Sequence, residues 1–146
     1  MENENIAKLY FQTLEKGIAA LDPKEQANVF RPCAVGCVEA FVLKEMRRQF
    51  EECGRSLDSQ YTKYGRTPYF FADIIEKGRV YELGYPRCLC PLVEGGYANA
   101  PIHCECSRQS ILYVLHDLLP GRDIQVETLH TVLDGSTECR FRVTCS

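Results

Sequence analysis

The segment RDIQVETLHTVLDGSTECRFRVTCS, residues 122–146, decides the fold class of this chain. Apolar and polar residues alternate on both sides of the Asp134-Gly135 dipeptide. Such a dipeptide between two alternating runs is the strongest short-range signal of a β-hairpin. The pattern therefore predicts that residues 123–145 form the last hairpin of an antiparallel sheet.

The turn also predicts the register of this hairpin. If Asp134 and Gly135 are the central residues of a type I′ turn, the strand residues pair by counting outward from them. The predicted pairs are Val126 with Val143, Glu127 with Arg142, Thr128 with Phe141, and His130 with Cys139. In this register His130 and Cys139 point inward together, with their Cβ atoms about 4.5–5.5 Å apart.

Apolar residues at helical spacing predict that helices cover one face of the sheet. The first helix runs from Asn3 to about Leu21, and the second starts at Pro23. The later predictions are a helix from Pro32 that stops at Gly54, a loop over residues 54–66, a helix from Thr67 to Gly78, a strand over residues 79–85, and a helix from Ser107 to Pro120. The expected fold is α+β, with four or five helices in a single domain, residues 1–146.

Composition and charge narrow the function classes. The chain has 146 residues, 45% of them hydrophobic, and a formal net charge of -3. This charge provides no positive field for a phosphate backbone, so nucleic acid is not an expected partner. The sequence also shows no secretory signal and no apolar run of the roughly 18 residues that span a bilayer, which predicts a cytoplasmic protein without a membrane partner.

Nine cysteines are present, and four of them lie in RCLCPLVEGGYANAPIHCEC, residues 87–106. In a reducing cytoplasm, clustered thiols more often bind metals or react than form disulfides. Cys104 and Cys106 would share one side of an extended backbone, where the hairpin would bring His130 and Cys139 to them. These four residues are a chemically sensible tetrahedral zinc site. The alternative is an inward histidine beside buried thiols in an ordinary core.

The other cysteines leave several alternatives open. Cys88 and Cys90 would complete a second metal site or join the other pair around an iron-sulfur cluster. Cys33 and Cys37 lie one helical turn apart and suit core packing, although Cys33 near a helix N-terminus is also a candidate nucleophile. The apolar segment at residues 69–71 suits either a ligand pocket or the core.

The C-terminal passage, from CECS at residues 104–107 to VETLHTVLDGSTECRF at 126–141, resembles the 4-vinyl-reductase-like (4VR) domain family. The shared pattern is a cysteine before the last helix, Glu-x-x-Cys on a strand, and Gly-x-x-x-Cys-x-Phe on the final strand. The matching positions are Cys104, Glu127, His130, Gly135, Cys139 and Phe141. His130 stands where the family has cysteine, and one extra residue precedes Gly135. Bacterial members include small-molecule-binding proteins and aromatic-sensing input domains of transcriptional activators.

This resemblance implies a 4VR-like fold, frequent dimerisation, and zinc bound by Cys104, Glu127, His130 and Cys139. The predicted register turns Glu127 away from His130, so Cys106 is expected to replace it unless a bulge rotates the glutamate inward. A zinc with four protein ligands would be structural, because no position stays open for substrate. The first helix is a candidate surface for a homodimer.

The leading prediction is therefore a small-molecule-binding or sensory domain with a structural zinc. The same tail resembles a family named for aminothiazoline-carboxylate hydrolases, which supports a second hypothesis, a thiol- or metal-dependent hydrolase of small heterocyclic or amide substrates. A third hypothesis is an iron-sulfur or redox protein. The sequence leaves open whether the protein is an enzyme and which ligand it binds.

Overall fold

The computed structural model describes residues 2–146, which form six α-helices and one four-stranded antiparallel sheet. The helices are α1 Glu2–Ala19, α2 Pro23–Phe41, α3 Leu43–Glu52, α4 Leu57–Tyr64, α5 Pro91–Glu94 and α6 Glu105–Leu118. The strands are β1 Phe71–Glu76, β2 Val80–Tyr85, β3 Ile124–His130 and β4 Cys139–Cys145, in the spatial order β1-β2-β4-β3. The predicted α+β class and C-terminal hairpin are confirmed.

The register of the β3–β4 hairpin is confirmed over most of its length. Val126 pairs with Val143, Glu127 with Arg142, and Thr128 with Phe141. An irregularity between Thr128 and His130 then places His130 opposite Arg140, so its predicted pairing with Cys139 is wrong.

The turn between these strands is longer than the two residues predicted. Thr131 caps a 3₁₀ turn at Val132–Asp134, and its N–H donates to the Asp134 carboxylate at 2.8 Å. The same carboxylate accepts from the Ser136 N–H at 3.1 Å, and Gly135 follows with a φ of 101°. Because Asp134 satisfies backbone donors on both sides of itself, it closes a wider loop in place of a type I′ turn.

The two faces of the sheet differ in chemistry. Phe141, Val143 and Tyr81 are almost fully buried under the helices, where α6 packs between α2 and the strands. Burying such side chains contributes about 1.5–3 kcal/mol each. On the opposite face Arg140 donates to Asp73, Glu82 and Glu138 and lies over the ring of Phe71. One apolar and one charged face explain why the helices cover a single side.

Three local predictions in the first half of the chain are wrong. Pro32 lies inside α2, which runs on to Phe41 and ends at the irregular backbone of Val42. Residues 57–64 form a helix because the Ser56 side chain caps it by accepting from the Ser59 N–H. After Thr67 the chain forms a turn and then strand β1, because the Thr67 hydroxyl accepts the N–H groups of the next residues in place of starting a helix.

The amphipathic helix predicted at the N-terminus is present as α1, but its apolar stripe faces solvent. Ile6, Leu9, Tyr10 and Leu14 are each more than half exposed. The buried residue of α1 is Glu15, whose two carboxylate oxygens accept the N–H groups of Asn99 and Ala100, each at 3.2 Å. Within residues 2–146 no helix is both long and apolar enough to cross a membrane.

The Glu15 carboxylate is expected to hold the segment before α6 in place. Glu15→Ala leaves two backbone donors without their partner, so urea denaturation should show a loss of about 1–3 kcal/mol. Hydrogen exchange should accelerate at Asn99 and Ala100. Glu4→Ala removes an exposed carboxylate of the same helix, one that pairs with Lys8, and should change stability by less than about 0.5 kcal/mol. Equal losses for the two variants would contradict this assignment.

Gly84 in β2 is required by a close approach of β4. A Cβ at this position would lie 1.8 Å from the Cys139 carbonyl oxygen and 2.8 Å from the Phe71 ring. Gly84→Ala should therefore destabilise the fold by about 1–3 kcal/mol in thermal or urea denaturation. The matched control is Gly36→Ala in α2, where a Cβ meets nothing within 4 Å and helix propensity predicts a gain of about 0.5–1 kcal/mol.

Candidate functional site: a thiol-lined cavity beside an apolar cavity

A cavity of about 240 Å³ lies where the end of β2, the segment before α6 and the start of β4 meet. Five of the nine cysteines line it: Cys88, Cys90, Cys104, Cys106 and Cys139. His103 and Tyr85 also line it. The two Cys-x-Cys pairs of the sequence therefore belong to one site, and within residues 2–146 all cysteines are free thiols.

Different local structures position these thiols. Tyr85 is the last residue of β2 and pairs directly with Cys139, the first residue of β4. Cys90 precedes the short helix α5, and Cys104 precedes α6. The extended backbone predicted for Cys104 and Cys106 is wrong, because a 3₁₀ turn and then α6 occupy these positions. Both thiols reach the cavity nonetheless.

His103 faces one of these thiols. Its Nε2 lies 3.4 Å from the Cys90 Sγ, within hydrogen-bond distance for sulfur. The imidazole is 8% exposed and is held by edge contacts with the rings of Phe11 and Phe30. Its Nδ1 is buried without a hydrogen-bond partner among residues 2–146. The contact with His103 lowers the pKa of Cys90, and burial opposes this only in part.

Cys104 and Cys139 form a second interacting pair. The Cys139 Sγ accepts a hydrogen bond from the Val132 N–H at 3.3 Å. The hydrogen bond between the two thiols lowers the pKa of Cys139, helped by the Val132 N–H, and raises that of Cys104. The contact between the two sulfurs therefore favours the proton on Cys104 and makes Cys139 easier to ionise.

The remaining cavity thiols stay protonated. Burial is the main cause that raises the pKa of Cys88, and it raises the pKa of Cys106 to about 11. Cys33 and Cys37 are exposed on α2, outside this cavity, which does not match the core packing considered for them. Five thiols in one cavity therefore fall into two classes, with Cys90 and Cys139 as the readily ionised members.

The structure brings three of the four predicted zinc ligands together and places the fourth elsewhere. Cys104, Cys106 and Cys139 line the cavity, but His130 does not, and its Nε2 lies 3.0 Å from Glu138 on the rim of the hairpin. Glu127 is exposed. Among residues 2–146 no three histidine, cysteine, aspartate or glutamate side chains are arranged to hold a metal ion. The side chains as placed do not fit zinc, and the zinc site stays a prediction that elemental analysis tests directly.

A second, apolar cavity of about 290 Å³ adjoins the first and shares Tyr85 and Ser110 with it. It lies between the sheet and the helices α2, α3 and α6. Its other lining residues are Cys37, Val38, Val42, Met46, Tyr61, Phe70, Leu83, Ile111, Val114 and Leu115. None of them is charged. Burial raises the pKa of Tyr85 to about 12, so its hydroxyl stays neutral where the two cavities meet.

Comparison with known proteins assigns no family. No family model matches the chain, and no curated protein matches it. A solved structure that it resembles is trafficking protein particle complex subunit 3 from Naegleria fowleri, covalently bound to palmitic acid. The identity is 11% and the TM-score 0.43, over 99% of this chain and 95% of that chain. So distant a likeness transfers no ligand or activity, and the 4VR resemblance stays a prediction.

Sequence patterns missed the role of His103. It precedes Cys104 directly, but its partner Cys90 lies thirteen positions earlier, beyond a Gly-Gly and two prolines. No periodicity connects two loop residues, so the sequence carries no signal for this pair. The segment at residues 69–71 suits either a ligand pocket or the core, and Phe70 of this segment lines the apolar cavity.

The two classes of thiol should separate in a titration. The pKa of Cys90 and of Cys139 is lowered. Thiolate ultraviolet absorbance should therefore begin to appear at a pH below ~8.5, the ordinary pKa of a free thiol. Cys90→Ser and Cys139→Ser should each remove part of this early signal. Cys53→Ser, a half-buried thiol outside the cavity, should leave it unchanged. A single transition near the ordinary value for all the thiols would contradict the assignment.

Proposed function

We propose that this protein binds a small, uncharged, apolar molecule in the cavity between the sheet and helices α2, α3 and α6. The observation that carries the proposal is the uncharged lining of this cavity. An ionised ligand would lose its hydration there without a partner of opposite charge, which is costly. A hydrocarbon or aromatic group would displace water from apolar surface and gain free energy.

The size of the cavity supports a ligand of modest size. At about 290 Å³ it lies at the lower end of the range for small-molecule pockets, roughly 300–1,000 Å³. A few polar groups at one end are typical of such pockets, where they orient the ligand. Ser110 and the neutral hydroxyl of Tyr85 supply such groups at the junction with the thiol-lined cavity.

A ligand-binding or sensory role follows better from this arrangement than hydrolysis does. A thiol-dependent hydrolase needs a nucleophile, a base and a group that orients the base. Cys90 and His103 supply the first two, but the Nδ1 of His103 meets no carboxylate or amide among the described residues. A binding domain needs only the cavity, and the proposal is accordingly ligand binding.

The proposal is tested with benzylacetone, a neutral phenyl ketone. Val114→Trp places a large side chain in the apolar cavity, so the variant should bind benzylacetone at least about tenfold more weakly, a loss of roughly 1.4 kcal/mol. Calorimetry or ligand-observed NMR measures the binding.

The matched control is Tyr113→Trp, which adds the same indole one position away on α6, at a residue that does not line the cavity. It should bind as the unaltered protein does. Because the natural chain has no tryptophan, the indole fluorescence of each variant also reports on its folding. Absent binding, or equal weakening in both variants, would overturn the proposal.

A further inference from the structure

The thiol-lined cavity contains a group that ligand binding alone does not explain. Cys90 and His103 form a buried thiol–imidazole pair, with 3.4 Å between the Sγ and Nε2 atoms. Both residues line the cavity that adjoins the apolar one. A molecule seated in the apolar cavity therefore has one end near Tyr85 and Ser110, at the entrance to the space that the pair lines.

We infer that Cys90 captures an apolar α,β-unsaturated carbonyl compound covalently, with His103 as the proton donor. The inference rests on the proposed function, because the apolar cavity holds the hydrocarbon part of the compound. The chemical class of the compound follows from the Cys90–His103 pair, because sulfur is a soft nucleophile that reacts readily with the soft β-carbon of a conjugated carbonyl compound. An addition has no leaving group, and it needs no further orienting residue.

The addition balances without another reactant. The Cys90 thiol proton passes to the Nε2 of His103, and the sulfur forms a bond to the β-carbon. The carbon–carbon π bond breaks and its electron pair becomes that of an enolate. His103 then returns the proton to the α-carbon, which regenerates the neutral imidazole and leaves a saturated thioether. The sulfur and the hydrogen of the thiol have added across one double bond.

The surroundings single out Cys90 among the five cysteines of the cavity. Cys104 and Cys139 are almost fully buried and interact with each other. Cys88 and Cys106 share the cavity with Cys90, but burial raises the pKa of each, so they remain thiols at neutral pH. His103 lowers the pKa of Cys90 alone among these three. Selectivity therefore has two sources: burial shields Cys104 and Cys139, and the imidazole of His103 lies beside Cys90.

The test uses benzylideneacetone, which differs from benzylacetone only in its conjugated double bond. The full chain is reduced, freed of reductant and mixed with an equimolar amount of the ketone. The adducts are stabilised with borohydride, counted by intact mass and located by peptide mapping. We expect one adduct per chain, at Cys90, formed at least about tenfold faster than at the exposed Cys33, which lines neither cavity. Faster labelling at any other cysteine would overturn the inference.

Three variants test the roles of the pair. Cys90→Ser should lose the fast adduct, whereas Cys53→Ser, which removes a half-buried thiol outside both cavities, should keep it. His103→Gln should slow the addition at least about tenfold without moving the adduct from Cys90. Circular dichroism checks that this variant folds, since His103 packs against Phe11 and Phe30. If it does not fold, the comparison of the two cysteine variants decides.

Benzylacetone separates the two proposals. As a competitor it should slow the addition of benzylideneacetone, and Val114→Trp should slow the same addition without affecting alkylation of Cys90 by iodoacetamide. Binding of benzylacetone without an adduct at Cys90 would overturn only the covalent step. An adduct at Cys90 that neither benzylacetone nor Val114→Trp slows would overturn the capture from the apolar cavity, whereas the proposed function is decided by the binding of benzylacetone itself.

Discussion

The pairing of β4 with both β2 and β3 is the constraint on which the rest of the structure depends. β4 lies between these strands, so its buried residues Phe141, Val143 and Cys145 fill the centre of the core. The same pairing places Cys139 beside Tyr85 at one end of the sheet. The strand that organises the core therefore also delivers a thiol to the cavity. Gly84 permits this approach because it has no Cβ to meet the backbone of Cys139.

Buried polar groups hold the irregular part of the chain against this framework. Backbone N–H groups removed from water need partners, and the Glu15 carboxylate supplies them for Asn99 and Ala100. Gln12 also donates to the Gly96 carbonyl. Helix α1 thus attaches through polar contacts on one side, while its apolar residues face outward. The segment that carries Cys90 and His103 is held between α1 and the start of α6.

Proximity alone does not decide the chemistry of the five cavity thiols. A thiol whose nearest neighbour donates a hydrogen bond ionises more easily, as Cys139 does beside Cys104 and the Val132 N–H. A thiol surrounded by apolar groups and other thiols is held in its neutral form, as Cys106 is. Similar residues in one cavity therefore differ in how easily they ionise, and such a cavity can bind neutral molecules while presenting a nucleophile.

Local patterns in the sequence were sufficient for the hairpin, the last helix and the α+β class. Alternation and helical spacing act over a few residues, and burial of one face enforces them, as at Phe141 and Val143. The local predictions went wrong where side chains bind nearby backbone groups, as Thr67 and Asp134 do. Competing hydrogen bonds of this kind are weakly encoded in residue type.

For the candidate site, the sequence identified cysteines but did not show which of them lie close together. The sequence left open whether Cys88 and Cys90 join the other pair. In the structure they share a cavity with Cys104 and Cys139, and His103 meets Cys90 across an irregular segment. His130, placed inward by the predicted register, turns to Glu138 after the bulge. The sequence by itself determined the C-terminal hairpin, the last helix, the α+β class and the number of thiols. Only the tertiary structure decided which thiols meet, because contacts between distant loops follow from core packing and have no local period.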